Sequence, residues 1–243
     1  MTAHILILAA GRSSRMGGKD KLMERVHGQP LVCHVARAAL ATGCPVSITL
    51  PPETDAFGAA RRQALAGLDV TVQMVTDPSQ GMAASLVAGL ASIPPEGAVL
   101  ILLADMPDVT MQDLAKMLDR HQSDPTAILR GASQSTPGHP VLFPADLRPD
   151  LARLSGDEGA RPVLTRHAGR VVLVPLPGRH ALTDLDTPAE PHAQIVDAGH
   201  EQAPRGPQHQ LAAVGEQFLA QHGVPAEQVV EQLADLAAER PHD

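Results

Sequence analysis

A glycine-rich, cationic segment directly follows the first apolar stretch of the chain. Residues 9–21 read AAGRSSRMGGKDK and place Arg15 and Lys21 among three glycines and two serines. Glycines let backbone N–H groups come close to phosphate oxygens, and guanidinium and ammonium groups neutralise a polyphosphate while its leaving group departs. This combination of residues predicts a phosphate-binding loop.

Two common phosphate-binding patterns do not fit this loop. A P-loop requires GxxxxGK followed by Ser or Thr, but Gly17 comes one residue too late after Gly11, and Asp20 stands where the magnesium-binding hydroxyl belongs. The dinucleotide pattern GxGxxG also fails, because residue 13 is serine and residue 16 is methionine. The loop is therefore expected to bind phosphate in a different way.

Acidic residues follow two later apolar segments. Asp105 comes directly after the run VLILLA, where its carboxylate is well placed to hold magnesium against phosphate oxygens. Its alternative role is to cap the next helix, for which Asp108 or Thr110 is the better candidate. Asp184 and Asp186 in LTDLDTPAE alternate with apolar residues and would point to one side of an extended segment. They would supply a second metal ligand there or form a solvated strand end.

Short apolar strands alternate with helices along most of the chain. The predicted strands are His4–Ala9, Pro45–Leu50, Val70–Val75, Ala98–Ala104, Thr126–Leu129 and Arg170–Pro175. The predicted helices between them are Pro30–Leu40, Asp55–Ala66, Met82–Ala91 and Thr110–His121. Strands that are apolar on both faces are typical of an α/β fold, with a mainly parallel sheet between helices. In such a fold the ligand crevice lies at the C-terminal ends of the strands.

Two segments interrupt this alternation. Gly131–Pro140, GASQSTPGHP, is predicted to be a polar loop before the short run Val141–Phe143. Gly199–Gln208 is predicted to be a linker, which divides the chain into a domain at 1–198 and an extension at 199–243. Apolar residues at helical spacing in the extension predict a helical hairpin. That hairpin would cover an edge of the body, pair with another subunit or dock a partner.

Composition argues against nucleic acids and membranes as partners. The 243 residues carry a net charge of −8, with no Trp or Tyr and three Phe, so a basic face and aromatic platforms for bases are not expected. The apolar runs are far shorter than the ~20 residues that span a bilayer, and no signal peptide is recognised. Two isolated cysteines and scattered histidines predict neither a disulfide scaffold nor a Cys or His metal site. A reducing cytoplasm is the expected location.

Six segments form a recognisable series along the chain. They read LAAGRSSRMGGKDKL, GMAASLVAGL, LLADMPDV, GHPVLF, GDEGARPVL and DLDTPAE, and the match that they form covers about residues 4 to 192. In sequence and in order they resemble the MobA-like nucleotidyltransferases, most closely the molybdenum cofactor cytidylyltransferases. The resemblance implies a Rossmann-like nucleotidyltransferase fold. It also implies transfer of a nucleoside monophosphate to a phosphorylated acceptor, with Mg²⁺ and release of pyrophosphate.

The same resemblance implies roles for individual residues. It implies nucleotide binding by Ala9, Ala10, Gly11, Ser13, Gly17, Gly81 and Ser85. Arg15 and Lys21 would act on the nucleotide phosphates as catalytic residues together with Asp105. Asp105 and Asp186 would bind the magnesium ion.

Two further residues are implied on the acceptor side. His139 of GHPVLF and Arg161 of GDEGAR would contact the phosphate or the pterin of the acceptor. For His139 the alternative is a hydrogen bond that only pins its loop. For Arg161 the alternative is an ion pair with Asp157, four residues earlier.

The substrates follow by the same resemblance. Guanylyl-transferring relatives usually begin the loop with LAGG, and the LAAG of this chain therefore favours CTP over GTP through Ala10. The implied acceptor is molybdopterin, whose phosphate monoester is mostly dianionic at neutral pH and needs no strong general base. One alternative is cytidylyl or guanylyl transfer to another phosphorylated small molecule. The other is a carrier that delivers the finished cofactor to an apo-molybdoenzyme.

Overall fold

The computed structural model describes residues 3–11 and 19–184. Within these ranges it contains nine strands and six α-helices. The strands are β1 His4–Leu8, β2 Arg25–Val26, β3 Gln29–Pro30, β4 Val46–Leu50, β5 Thr71–Met74, β6 Val99–Leu103, β7 Ile128–Ser133, β8 Thr136–Phe143 and β9 Val171–Leu176. The helices are α1 Leu31–Leu40, α2 Ala56–Ala64, α3 Met82–Ala91, α4 Met111–Ser123, α5 Arg148–Leu151 and α6 Arg161–Arg166.

Seven of these strands form one sheet, in the order β5-β4-β1-β6-β8-β7-β9. Neighbouring strands are parallel except at β8, which runs antiparallel to both β6 and β7. The prediction of a mainly parallel sheet is therefore confirmed. β1 pairs with β6 from His4–Val99 to Leu8–Leu103, so their C-terminal ends lie side by side. The segments that follow these two strands consequently start at the same edge of the sheet.

The sheet separates two hydrophobic layers. Ile5 and Ile7 of β1 pack on one face with buried residues of α1 and α4. Leu6 packs on the opposite face with residues of α3, α5 and α6. Because successive side chains of a strand point to opposite faces, a strand covered on both sides must be apolar throughout. This is why the central strands read as unbroken apolar runs.

Helix ends follow the capping signals of the sequence. Thr110 precedes α4, and its hydroxyl oxygen accepts the backbone N–H of Asp113 at 3.3 Å, while the Asp113 carboxylate accepts the backbone N–H of Thr110 at 2.9 Å. This reciprocal pair is a capping box. α1 begins directly after Pro30, and the turn after it reaches Gly43 at a φ of 76°. Thr110 fills the capping role, which leaves Asp105 available for another one.

The segment Gly131–Pro140 corrects the sequence prediction, because most of it is a β-hairpin and not a loop. β7 continues through Ser133, β8 begins at Thr136, and Gln134 occupies the turn at a φ of 57°. The glycines of this segment, which are typical of loops, here allow neighbouring parts of the backbone to approach each other closely. A Cβ on Gly131 would lie 2.7 Å from the carbonyl oxygen of His139, a separation too short for any side chain.

The predicted linker and helical hairpin at 199–243 lie outside the described residues. The division into a domain at 1–198 and an extension accordingly stays a prediction. Among the helices of the described part, none has the length and apolar character required to cross a membrane.

Candidate active site

The first predicted nucleotide-binding residues lie where the chain leaves β1. Ala9 and Ala10 are each 1% exposed, whereas Gly11 is exposed. The backbone N–H of Ala9 still donates to the carbonyl oxygen of Thr49 at 3.1 Å, so the sheet fixes the start of the loop. A Cβ on Gly11 would have no heavy atom within 4 Å among the described residues. None of the described residues therefore obstructs a side chain at Gly11.

Three predicted loop residues and one predicted metal ligand fall outside the described residues. They are Ser13, Arg15, Gly17 and Asp186. Their assignments to nucleotide, phosphate and metal binding stay predictions.

The structure brings Lys21 and Asp105 together from positions 84 residues apart. The Lys21 ammonium donates to Oδ2 of Asp105 at 2.7 Å, and the two side chains are 12% and 19% exposed. Lys21 opens a short 3₁₀ turn that Asp20 caps by accepting the backbone N–H of Leu22 at 3.0 Å. Asp105 follows β6 at the edge where β1 also ends. The predicted cation and carboxylate thus meet at the C-terminal edge of the sheet.

Asp105 has the chemistry of a ligand for a hard divalent cation. Mg²⁺ usually keeps several waters and binds one or two carboxylates together with substrate phosphates. In the ranges 3–11 and 19–184, no group of three or more His, Cys, Asp or Glu side chains is arranged to hold a metal. The donors of these two ranges fit a cation that is shared with a phosphate ligand, and by themselves they do not form a metal cage of protein side chains.

A buried arginine that the sequence patterns did not single out contacts the residues on either side of the loop segment 12–18. Arg61 of α2 is 0% exposed, and its guanidinium donates to the carbonyl oxygens of Ala9 at 2.7 Å and Gly11 at 2.8 Å. It also donates to both carboxylate oxygens of Asp20, at 2.9 and 2.7 Å. One signal was present in the sequence. Arg61 follows Phe57 by one helical turn, which puts a charge on the same helix face as an aromatic ring, and a buried charge requires a partner.

Gly81 and Ser85 lie at the start of α3. Gly81 has a φ of 91°, and a Cβ there would lie 2.7 Å from the carbonyl oxygen of Gly156 and would collide with Asp157. The backbone N–H of Ala83 donates to the same Gly156 oxygen at 3.1 Å. The glycine therefore allows the GDEGAR loop to pack on the first turn of α3. Ser85 is buried, and contact of either residue with a nucleotide stays a prediction.

A cleft of ≈ 510 Å³ opens between α3, β8 and α6. Its walls combine apolar side chains with convergent charged and polar ones. The apolar group includes Leu8, Leu86, Ile101, Val141 and Phe143. The polar group includes Arg130, His139, Asp157, Glu158 and Arg161. Apolar walls with a few placed polar groups are typical of sites for small organic ligands. The two predicted acceptor-binding residues, His139 and Arg161, line this same cleft.

His139 lies near Asp105 through the topology of the sheet. β8 runs antiparallel to β6 and pairs Val141 with Ile101, so the residues before Val141 lie at the edge where β6 ends. Burial, and after it the charge of the Arg130 guanidinium, lower the pKa of His139 to about 4, while the Asp105 carboxylate acts in the opposite direction. The imidazole is therefore neutral at physiological pH, and it can form hydrogen bonds but carries no charge.

The side chain of His139 has an unmet hydrogen-bonding capacity. Its Nδ1 atom is buried and has no hydrogen-bond partner within the described part of the chain. The backbone N–H of His139, not this side-chain atom, ties the strand to the carbonyl oxygen of Ala181, at 2.9 Å. The alternative role, in which a side-chain hydrogen bond only pins the loop, finds no support at Nδ1.

Arg161 opens α6 on the exposed side of the cleft. Over residues 19–184 the structure contains no ion pair between Arg161 and Asp157. The alternative role of Arg161, in which it only pairs with Asp157, is therefore not supported. Arg130 of β7, which the sequence patterns did not indicate, lines the same cleft and donates to the carbonyl oxygen of Gly138 at 3.0 Å. Burial, and then the charge of Arg161, lowers the pKa of Arg130. Two guanidinium groups on one cleft favour an anionic ligand.

These elements define an α/β nucleotidyltransferase fold, with the first loop and a strand-end carboxylate at the C-terminal edge of the sheet. Residues 5–171 match the MobA-like NTP transferase domain. The chain belongs to that family, as the six segments predicted.

The curated relatives of this chain carry different functional names, and a solved structure shares its fold. Nicotine blue oxidoreductase from Paenarthrobacter nicotinovorans is 31% identical over 189 residues, which cover 75% of this chain and 91% of that protein. Molybdenum cofactor guanylyltransferase from Pseudomonas putida (strain GB-1) is 31% identical over 169 residues, which cover 68% of this chain and 83% of that protein. The crystal structure of Rv0371c from Mycobacterium tuberculosis H37Rv superposes with a TM-score of 0.67 at 28% identity, over 76% of this chain and 93% of that one.

A second crystal structure of Rv0371c is a complex with manganese, with a TM-score of 0.61 at 24% identity over 72% of this chain and 89% of that one. The predicted family and fold are confirmed by these matches. The preference for CTP that Ala10 predicts is not tested by them.

Proposed function

We propose that this protein transfers CMP from CTP to molybdopterin in a Mg²⁺-dependent reaction that releases pyrophosphate. The observation that carries the proposal is the contact of Lys21 with Asp105 beside the loop that begins at Ala9. This contact joins a phosphate-binding cation and a metal-binding carboxylate at the crevice edge of the sheet. The similarity to a molybdenum cofactor guanylyltransferase supports a molybdenum cofactor as the product.

Some residues of the crevice would bind the nucleotide, and others would stabilise the negative charge of its phosphates. Loop amides from Ala9 onward would hold the nucleotide, while Lys21 and Arg15 neutralise the triphosphate. Asp105 and Asp186 would hold Mg²⁺, which supplies Lewis-acid stabilisation of the phosphate oxygens when it is bound. The manganese complex of Rv0371c supports a divalent cation at this fold.

The chemical step needs alignment more than proton transfer. The acceptor phosphate attacks the α-phosphorus of CTP, a new P–O bond forms, the bond between the α-phosphorus and the bridging oxygen breaks, and pyrophosphate carries away the electron pair. Two anions must approach each other for this attack. Lys21 lowers their repulsion, and its bond to Asp105 holds the ammonium in place while substrates are absent.

The cleft beside the crevice supplies the acceptor site in this proposal. Its apolar walls suit one face of a flat heterocycle, and Arg130 and Arg161 suit an anionic group on the same molecule. His139 offers its neutral imidazole at the end of the cleft that lies near Asp105. The acceptor phosphate would thus enter the crevice from this side.

Ala10 is the basis for CTP in preference to GTP. Its methyl group is buried at the start of the loop, where a glycine would leave more room. A smaller base pocket favours a pyrimidine over a purine. A relative that is named a guanylyltransferase makes this preference the first point to measure.

The deciding experiment incubates the full chain with Mg²⁺, molybdopterin and each of the four nucleoside triphosphates, and records pyrophosphate. We expect release with CTP above all. Release with GTP alone would replace the cytidylyl assignment by a guanylyl one, and release only with a different phosphorylated acceptor would replace molybdopterin. Tight binding of the finished cofactor with no pyrophosphate would identify a carrier.

An oxidoreductase is the second candidate, and the similarity to nicotine blue oxidoreductase favours it. Such an activity needs an electron carrier, and the first loop lacks the GxGxxG pattern that binds dinucleotides. Oxidation of NADH or NADPH in the presence of an electron-accepting substrate, with no pyrophosphate released in the panel, would establish this second candidate.

A further inference from the structure

Arg61 joins the two ends of the predicted nucleotide loop. On one side it holds the carbonyl oxygens of Ala9 and Gly11, and on the other it holds both oxygens of the Asp20 carboxylate. These four hydrogen bonds of 2.7 to 2.9 Å come from one guanidinium that is fully buried. The bonds therefore fix the distance between Gly11, just after β1, and Asp20, which caps the 3₁₀ turn at Lys21.

A buried arginine in this position is not explained by stability alone. Removing a guanidinium and a carboxylate from water is costly, and well-packed apolar residues are often as stable as a buried ion pair. What apolar residues cannot supply is a rigid planar fork that binds a carboxylate with two parallel N–H groups while it also binds two carbonyls. The geometry of Arg61 therefore points to a role in placing the backbone.

The same contact also controls the charge next to Lys21. Asp20 is the neighbour of Lys21 in the chain, and an unpaired carboxylate there would compete for the ammonium and repel phosphates. Arg61 occupies both carboxylate oxygens of Asp20, and the Lys21 ammonium bonds to Asp105 instead. One side chain thus places the loop ends and neutralises an adjacent negative charge.

We infer that Arg61 is a positioning residue for nucleoside triphosphate binding: it acts through Asp20 and the carbonyls of Ala9 and Gly11, and it does not touch the ligand. The inference rests on the proposed function, because it takes this loop to be the triphosphate site. It adds a residue on α2, a helix that carries none of the residues assigned to substrate or metal.

The test compares Arg61→Lys with Arg62→Lys in the full chain. Arg62 is the next residue on α2, half-exposed and paired with Glu53 at 2.6 Å, so it controls for loss of a guanidinium on the same helix. Dissociation constants for CTP and GTP with Mg²⁺ are measured by calorimetry, without acceptor. A lysine retains the charge but cannot reach four acceptors, so we expect about tenfold or greater weakening for Arg61→Lys, and no change for Arg62→Lys.

Loss of stability is separated from loss of positioning by a further control. Leu147→Val lies in the opposite hydrophobic layer and is expected to lower the melting temperature while nucleotide affinity stays at the wild-type value. Circular dichroism and thermal unfolding are recorded for every variant. Folded Arg61→Lys with wild-type affinity would overturn the inference and leave the proposed function intact.

Asp20→Asn keeps the test decisive if Arg61→Lys does not fold. The asparagine leaves Arg61 its two carbonyl partners but turns one carboxylate oxygen into an N–H donor that faces the guanidinium. We expect weaker binding of the triphosphate with the fold retained, and unchanged affinity of this variant would overturn the inference. If the wild-type protein binds no nucleoside triphosphate, the proposed function and this inference fall together.

Discussion

The crevice edge and the neighbouring cleft both contain charged and polar side chains, but they differ in whether these side chains have partners within the protein. At the edge, two pairs of opposite charges are formed: Lys21 bonds to Asp105, and Arg61 bonds to Asp20. In the cleft, His139 has a buried nitrogen without a partner in the described chain, and both Arg130 and Arg161 are among the lining residues. The edge is preorganised before any ligand arrives, whereas the cleft has polar groups that a ligand would complete.

This difference fits the division of labour in nucleotidyl transfer. Stabilising a triphosphate and its leaving group requires charges that are fixed in advance, because reorganisation during the reaction would raise the barrier. Selecting an acceptor requires polar groups in the site that form hydrogen bonds with the correct molecule and remain without a partner when a wrong molecule binds. A family that keeps the first region and varies the second can change acceptors on one scaffold.

Asp105→Asn is expected to give the largest effect, because it acts on the preorganised side. The amide cannot serve as an anionic metal ligand and cannot pair with the Lys21 ammonium as a carboxylate does. We expect kcat for pyrophosphate release to fall by about 10³-fold with the fold retained, as measured by circular dichroism and steady-state kinetics. Asp108→Asn, three residues later, is the matched control and should keep wild-type turnover. Normal turnover of the Asp105 variant would remove this residue from the site.

Arg161→Gln is expected to affect the cleft alone. We expect kcat/KM for the acceptor to fall by about tenfold to a hundredfold, because one charge-assisted contact to an anion is lost. The dissociation constant for CTP should not change. Arg166→Gln serves as the control, since Arg166 lies on the same helix but faces Asp150 at 3.5 Å. Equal losses in nucleotide and acceptor binding would show that the two regions are not separate sites.

Ala10→Gly tests whether the edge also selects the base. Removal of the buried methyl group should allow a larger base, so the ratio of kcat/KM for CTP to that for GTP should fall by about tenfold. Competition between the two nucleotides in one reaction measures the ratio directly. An unchanged ratio would mean that base selection depends on residues other than Ala10, and the cytidylyl assignment would lose its main support.

Much of the fold was predictable because local patterns determine it. Met82–Ala91 was predicted with the bounds that the structure has, and the central strands are recognisable because a sheet covered on both faces needs continuous apolar runs. The hairpin at 131–140 was not predicted, since its Gly, Ser and Pro residues resemble a loop. At Gly131 the glycine is required by a tertiary contact, because the backbone of β7 lies too close to His139 to leave room for a side chain.

The site was predictable in its strand-end residues and not in its supporting contacts. Asp105 follows an apolar run, so the topology of parallel strands places it at the crevice without further information. Arg61 and Arg130 derive their roles from partners 41 and 8 residues away, Asp20 and Gly138. Pairing at such distances depends on how helices and strands pack, which one sequence does not reveal.

The smallest expected effect comes from the unpaired histidine of the cleft and appears in stability. Burial holds the pKa of His139 at about 4, below its usual value of 6.5, so the unfolded chain binds this proton first as the pH falls. The contribution of His139 to stability is therefore complete above about pH 6.5, declines on acidification, and stops declining below about pH 4. His139→Gln cannot be protonated in this range. Its melting temperature, measured by calorimetry, should drop less between pH 7.5 and pH 5 than that of the wild type.

Comparing the wild type with His139→Gln separates the effect of His139 on the pH dependence of stability from the effects of the other histidines. Burial also lowers the pKa values of His4 and His121, but both are present in each protein and contribute equally to the two pH dependences. If wild type and His139→Gln lose stability in parallel, His139 is protonated as easily in the folded chain as in the unfolded one. The imidazole would then be open to water and not held neutral in the cleft. The contrast between paired side chains at the edge and unpaired ones in the cleft would no longer be supported by His139.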